Sequence, residues 1–244
     1  SEVMRLNIRL LSFITYFGYF LIGIVSFIIS PTLPLIIEDF GISVGIAGSI
    51  FSVIAMGVFL GAFSGGYISD IIGKKAAIII GCLFQLIGFS LIATTRNWIL
   101  GLCFVFIIGL GRGFLNTSFN ALISDIYSNK RGAALNTLHG IYGVGSLIGP
   151  MLAGIMISLD YEWRVVYYGA ALIWLIYVLI IMPIRYPSAS YVFTGKENKD
   201  NIAGRKNSIR EQNTTDSEGK EKGESVISQA GNNTDKKQKR AKIA

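Results

Sequence analysis

Residues 44–94 read VGIAGSIFSVIAMGVFLGAFSGGYISDIIGKKAAIIIGCLFQLIGFSLIAT, and this stretch decides how the chain folds. It holds two apolar runs, 44–67 and 76–94, each long enough to cross a hydrocarbon core of roughly 30 Å. Neither run shows the strict alternation of a barrel strand. Only helices and closed barrels satisfy every backbone polar group in lipid, so both runs are predicted to be membrane-spanning helices. The chain must reverse between them within residues 68–75. Gly66 is expected to let the two helices pack closely, and Gly73 to permit a turn that other residues resist. Lys74 and Lys75 would hold that turn at the cytoplasmic surface. Asp70 is costly at the membrane edge unless it meets a donor or a helix N-terminus, and one reading makes it the cap of the next helix.

The same pattern extends in both directions. Apolar runs at 10–30, 98–123, 133–159 and 163–183 bring the total to six, joined by short connections, so successive helices should be antiparallel. The fold class expected is all-α: a polytopic bundle of six transmembrane helices over residues 10–183. Composition agrees, with 52% apolar and 15% charged residues, against roughly 25% charged in a soluble domain. Lys and Arg place the ends. Arg5 and Arg9, Lys74 and Lys75, Lys130 and Arg131, and the basic C-terminal segment alternate with connections that carry Glu38, Asp39, Asp160 and Glu162. Both termini are therefore expected in the cytoplasm of a multi-pass cell-membrane protein. The first run is too long for a secretory signal and lacks a cleavage site. Since the chain starts at Ser1, an initiator Met or short leader is expected to precede it.

Beyond residue 183 the chain turns polar and charge-mixed, and 13 of the 22 Lys and Arg lie there. Such a segment buries too little apolar surface to offset its ordering entropy, so 184–244 is read as a disordered cytoplasmic tail. Its basic end, 236–242, is either simply solvated or drawn to an anionic leaflet. Cys82 and Cys103 both fall inside apolar runs and behave as small hydrophobes; no metal site and no cofactor is expected.

With these residues in place, a resemblance is visible. Gly66, Asp70, Gly73, Lys74 and Lys75 fit the G-x-x-x-D-x-x-G-basic-basic signature of major facilitator superfamily transporters, at the cytoplasmic turn where that family carries it. Residues 125–132, D-I-Y-S-N-K-R-G, resemble the family's acidic-to-basic connection before its fifth helix. The resemblance implies that Asp125 bridges to Lys74 or Lys75, with Arg131 in the same motif, as a latch whose strength differs between transport states. The alternative is unpaired, solvated charge. It also implies that Asp70 faces a helix of the other half of the transporter. In residues 143–154 Gly145, Gly149 and Ala153 recur every fourth position and offer a face for close backbone approach. Pro150 should bend that helix, and with Gly154 the run is similar to the family's glycine–proline motif, though incompletely. Residues 160–164 resemble the turn opening its sixth helix. The resemblance covers nearly all of 10–183 and implies the N-terminal half of such a transporter, six helices as a 3+3 inverted repeat. One departure is plain: where many exporters of the family carry an early Arg in the fourth helix, this chain has Val105, and Arg112 lies deeper.

Polar groups inside the runs mark the candidate site. Arg112, Asn116 and Asn120 are spaced by four on the fourth helix, and Asn136, His139, Tyr142 and Ser146 by three or four on the fifth. Such groups are expensive in lipid and should face the bundle or an aqueous cavity. Arg112, Asn116, Asn120, Asn136, His139 and Tyr142 are the candidate solute-binding residues, with Tyr16 and Tyr19 as possible additions. Hydrogen bonding between helices is the competing use of the Asn residues, and a satisfied interior imidazole that of His139. No run contains an interior Asp or Glu, and imidazole is the side chain suited to proton exchange near neutral pH. The run 134–145 also resembles the fifth helix of fucose–proton symporter-like sugar permeases.

These readings converge on a secondary transporter, or its N-terminal half, moving a small polar organic solute such as a sugar by alternating access. Drug or metabolite efflux is the other substrate class. The competing readings are a non-transporting six-helix partner subunit and an inactive fragment. The expected partners are the bilayer, the solute, and a second six-helix half or a second copy; no nucleic acid is expected. No nucleophile–base pair or metal-ligand cluster suggests an enzyme, and no catalytic residue is assigned.

Overall fold

The computed structural model describes residues 2–184, and the tail expected over 184–244 otherwise lies outside the described residues. All regular structure in the described part is helical: α1 (Glu2–Ser26), α2 (Ile29–Phe40), α3 (Val44–Ala47), α4 (Ser49–Ile72), α5 (Lys74–Thr94), α6 (Trp98–Ile126), a 3-10 turn (Ser128–Lys130), α7 (Arg131–Ser158) and α8 (Trp163–Ile181). Among the described residues, six segments are long and apolar enough to cross a membrane: Ile8–Ser26, Val44–Ile72, Lys74–Thr94, Trp98–Ile126, Ser128–Ser158 and Trp163–Ile181.

Two expectations need correction. The first run is not one helix to residue 30, because the helix breaks after Ser26 and resumes as α2. Pro31 is the cause: it has no N–H for the carbonyl of Phe27, and its ring crowds that carbonyl. The connection to the second span is therefore a helix, which buries Ile29, Thr32 and Ile36 and packs against α7 and α8. The second correction concerns Asp70. α4 continues to Ile72, so Asp70 is exposed in its last turn and does not cap α5; the N-cap is Gly73, with no side-chain cap bond. Gly73 takes φ 93° and ψ 153°, a conformation that a Cβ resists.

Glycine sets how the spans pair. α4 lies along α6 and α1 along α7, with α5 packed on both α6 and α8. Along α4–α6, a Cβ on Gly57 would come 3.0 Å from Gly109 Cα, and one on Gly61 would come 2.9 Å from Leu110 Cα. Along α1–α7, a Cβ on Gly23 would come 3.1 Å from Gly145 Cα, and one on Gly149 would come 2.9 Å from Ile24 Cα. Without an oil–water driving force in lipid, such backbone proximity supplies the dispersion contact that holds helices together. Exchanging the first three spans with the last three maps the α1–α7 pair onto α6–α4. Both pairs carry a glycine seam, as an inverted repeat of three helices requires.

Two motif residues differ from their expected roles. Close approach at the end of α4 belongs to Gly65, where a Cβ would come 2.8 Å from Phe114 Cα. A Cβ on Gly66 would make ordinary contact with Thr117 Cγ2 at 3.5 Å. Gly154 has open space around its Cβ position and takes no part in the α1–α7 seam. α7 runs on as helix through Pro150.

Between the seams the core is aromatic and aliphatic. Trp174, Tyr177, Phe119 and Leu138 are fully buried, and Tyr177 Oη donates to the Ile14 carbonyl at 2.9 Å. Gln85, buried in α5, donates through Nε2 to the Ile108 carbonyl at 3.1 Å and so ties α5 to α6. Outward, Phe59, Phe63, Leu147 and Leu179 are exposed, as lipid-facing surface should be.

Candidate functional site

α1, α2, α4, α6 and α7 line a half-open cavity of about 470 Å³, within the range of small-molecule sites. Arg112 is the central residue of α6, so the cavity lies deep along that helix. Tyr19, Arg112, Asn116, His139 and Tyr142 supply much of its polar lining, while Ile22, Phe51, Ile54 and Val58 form an apolar wall.

Tyr19 is the centre of this polar group. Its Oη donates to Asn116 Oδ1 and accepts from Asn120 Nδ2 at 3.2 Å. Asn120 Nδ2 also donates to Asn116 Oδ1 at 2.9 Å and to the Asn116 carbonyl at 2.7 Å. His139 Nδ1 lies 3.4 Å from Tyr19 Oη. The Tyr19 ring meets the His139 ring edge-on at 5.5 Å and the Tyr142 ring at 5.6 Å, which holds both α7 side chains against α1. The single phenolic proton is committed to Asn116, so a hydrogen bond to His139 requires the Nδ1–H tautomer, with Nε2 left free.

Of the residues proposed from sequence, Arg112, Asn116, His139 and Tyr142 therefore come together at one cavity. Asn120 stands behind them, bonded to Tyr19 and Asn116, and does not line it. Asn136 is exposed on α7 outside the cavity. Tyr16 hydrogen-bonds the Ala134 carbonyl, a helix-to-helix tie. Tyr19 is only a possible addition in the sequence, because an isolated aromatic in an apolar helix carries no periodic signal. Its importance comes from the partners that α6 and α7 bring to it.

Two charged clusters mark the bundle ends. At the α4–α5 end Lys74 pairs with Asp125 at the end of α6, whereas Lys75 Nζ donates to the Met182 and Ile184 carbonyls at 2.8 and 2.7 Å, past the end of α8. The two lysines thus tie one turn to two helices. Arg131 is exposed at the start of α7. At the opposite end Arg164 donates to the carbonyls of Ala93 and Thr95 at 2.8 and 2.9 Å and to Asp39 Oδ2 at 2.6 Å. Trp163 Nε1 donates to the same Asp39 oxygen at 3.2 Å, and the Arg164 guanidinium lies 4.6 Å from the Trp163 ring. This clamp joins the ends of α2, α5 and α8. The sequence showed the Trp–Arg turn but not the carbonyls it seals, because a backbone acceptor leaves no mark in a residue pattern.

Comparison with known proteins agrees with this architecture. The sequence profile of the Major Facilitator Superfamily matches residues 15–222. Among curated relatives, a Protein TsgA homolog from Buchnera aphidicola subsp. Schizaphis graminum is 23% identical over 76% of this chain and 48% of its own length. The Quinolone resistance protein NorA of Staphylococcus aureus is 26% identical over 73% of this chain and 46% of its own. A TsgA homolog from Yersinia enterocolitica is 25% identical over 70% and 43%. The chain spans about half the length of the curated relatives it matches. Six spans, four of them paired through two glycine seams, a Gly73–Lys74–Lys75 turn latched to Asp125, and a profile match across most of the chain identify it as a multi-pass membrane protein belonging to the major facilitator superfamily.

Proposed function

We propose that this chain is one six-helix half of a secondary transporter, and that its α1–α2–α4–α6–α7 cavity holds a small polar organic solute during alternating access. One observation carries the reading: Tyr19, Arg112, Asn116, His139 and Tyr142, from three helices, converge on one half-open cavity midway along α6. Polar groups at that depth are costly, and helix association alone requires fewer of them. A single bundle provides one wall of an alternating-access path, so the second wall comes from a further six-helix half or a second copy. The length of the curated relatives supports this. The similarity to a quinolone resistance protein favours efflux of drugs or metabolites as a second reading of direction and substrate. In either reading the Lys74–Asp125 end is cytoplasmic, because basic residues concentrate there.

Two measurements test this. Single cysteines at Glu38 and Glu162, in a background without Cys82 and Cys103, should react with an impermeant thiol reagent added to intact cells. A cysteine at Lys130 should react only after lysis. Labelling of Lys130 from outside would reverse the orientation. In proteoliposomes, uptake of labelled sugars, amino acids or organic acids is expected from the cross-linked dimer, or from the chain joined to a second half. Robust uptake by a demonstrably monomeric form would overturn the half-transporter assignment.

A further inference from the structure

Arg112 stands without a protein counter-charge. It is half-buried at the centre of α6, lines the cavity, and forms no hydrogen bond or ion pair with any described residue. The described carboxylates of the bundle are at the helix ends: Glu38 and Asp39 at the end of α2, Asp70 at the end of α4, Asp125 at the end of α6, and Asp160 and Glu162 before α8. Lys74 and Arg164, which do have carboxylate partners, use Asp125 and Asp39. A guanidinium at membrane depth is retained when something pairs with it, and its planar fork suits an oxyanion that accepts two parallel hydrogen bonds.

We propose that the solute bound in this cavity is an organic anion, a carboxylate-bearing molecule whose acid group pairs with Arg112 and whose apolar body lies against Ile22, Phe51, Ile54 and Val58. This rests on the reading of the cavity as a solute site and names the class of solute. The surrounding groups fit such a molecule. Asn116 Oδ1 and Tyr19 Oη already satisfy one another, so they add little repulsion toward an anion. The apolar wall leaves room for a body larger than an inorganic ion in about 470 Å³. With Nδ1–H turned to Tyr19, His139 offers Nε2 to a hydroxyl or amide of the solute.

The test compares acids with neutral counterparts of nearly the same shape: benzoate with benzamide, lactate with lactamide, and gluconate with glucose. The full chain in nanodiscs is treated with phenylglyoxal, and modification of the Arg112 peptide is followed by mass spectrometry, with Arg96 and Arg131 as internal references. At least one acid is expected to slow modification of Arg112 fivefold or more, its neutral partner to leave the rate unchanged, and the reference arginines to be unaffected. The thermal stabilisation by that acid should disappear in Arg112→Gln and persist in part in Arg112→Lys, which separates loss of charge from loss of fold. Equal protection by acids and neutral compounds would overturn the anion assignment while leaving the cavity as a solute site. Protection by none of the six would overturn both.

Discussion

Gly61→Val is expected to prevent assembly of the six-helix bundle, while Gly66→Ala, five residues away on the same helix, leaves it intact. A Cβ at Gly61 would lie 2.9 Å from Leu110 Cα, against backbone that has no rotamer to escape into. Overpacking of this kind costs about 1–3 kcal/mol and occasionally more. Valine adds two methyl groups beyond that Cβ, and neighbouring Gly57, Gly109 and Gly113 make the same seam, so the helices must separate along it. At Gly66 the nearest atom to an added Cβ is Thr117 Cγ2 at 3.5 Å, and alanine favours the helix over glycine by about 1 kcal/mol. The measurement is the monodisperse fraction and unfolding midpoint in detergent. Gly61→Ala should already lower the midpoint, and Gly66→Ala should hold or raise it. Equal behaviour of the two alanine variants would show that backbone proximity does not hold α4 to α6.

The second large effect is expected at Tyr19. Tyr19→Phe removes one oxygen, and with it the contacts to Asn116, Asn120 and His139. Asn116→Ala removes the acceptor on which the group is ordered. For a solute found by stabilisation screening of the chain, each change should weaken binding at least tenfold. That is about 1.4 kcal/mol, within the cost of leaving polar partners unmet. Stability should fall much less, since a hydrogen bond between membrane helices averages about 0.6 kcal/mol. Asn120 lies behind the lining, so Asn120→Ala should lower affinity less than Asn116→Ala. If all three variants keep wild-type affinity and lose stability alone, the polar group only joins helices.

The legible and illegible parts of this fold divide along physical lines. Runs of about 20 apolar residues announce membrane helices because the bilayer sets their length. The six spans, the reversal at Gly73 and the spacing of Arg112 and Asn116 were all visible in this way. Pairing was not. Glycines at 57, 61, 109 and 113 mark faces open to close approach, but nothing in one helix says which of the other helices takes that face. The shift of close approach from Gly66 to Gly65 is a difference of one position, about 100° around a helix, and only a partner backbone decides it. α2 is hidden because its first two residues close the apolar run 10–30 and the remainder reads as connection, though Pro31 supplies the reason for the break. At the site, Asn120 and Asn136 followed the same spacing rules as Asn116 and His139, yet Asn120 sits behind the cavity lining and Asn136 outside it.

The central claim is that α1, α2, α4, α6 and α7 line an aqueous solute path and do not simply form a helix interface. Its most direct test is chemical access in the otherwise cysteine-free chain, embedded in membrane. Single cysteines at Ala55, His139 and Tyr142, which line the cavity, are expected to react with a water-soluble thiosulfonate and to be protected by the bound solute. Cysteines at Leu172 and Leu179, exposed on α8 away from the cavity, should stay unreactive in lipid. The account predicts reaction rates at least tenfold apart between the two sets; equally slow reaction at all five positions would contradict it.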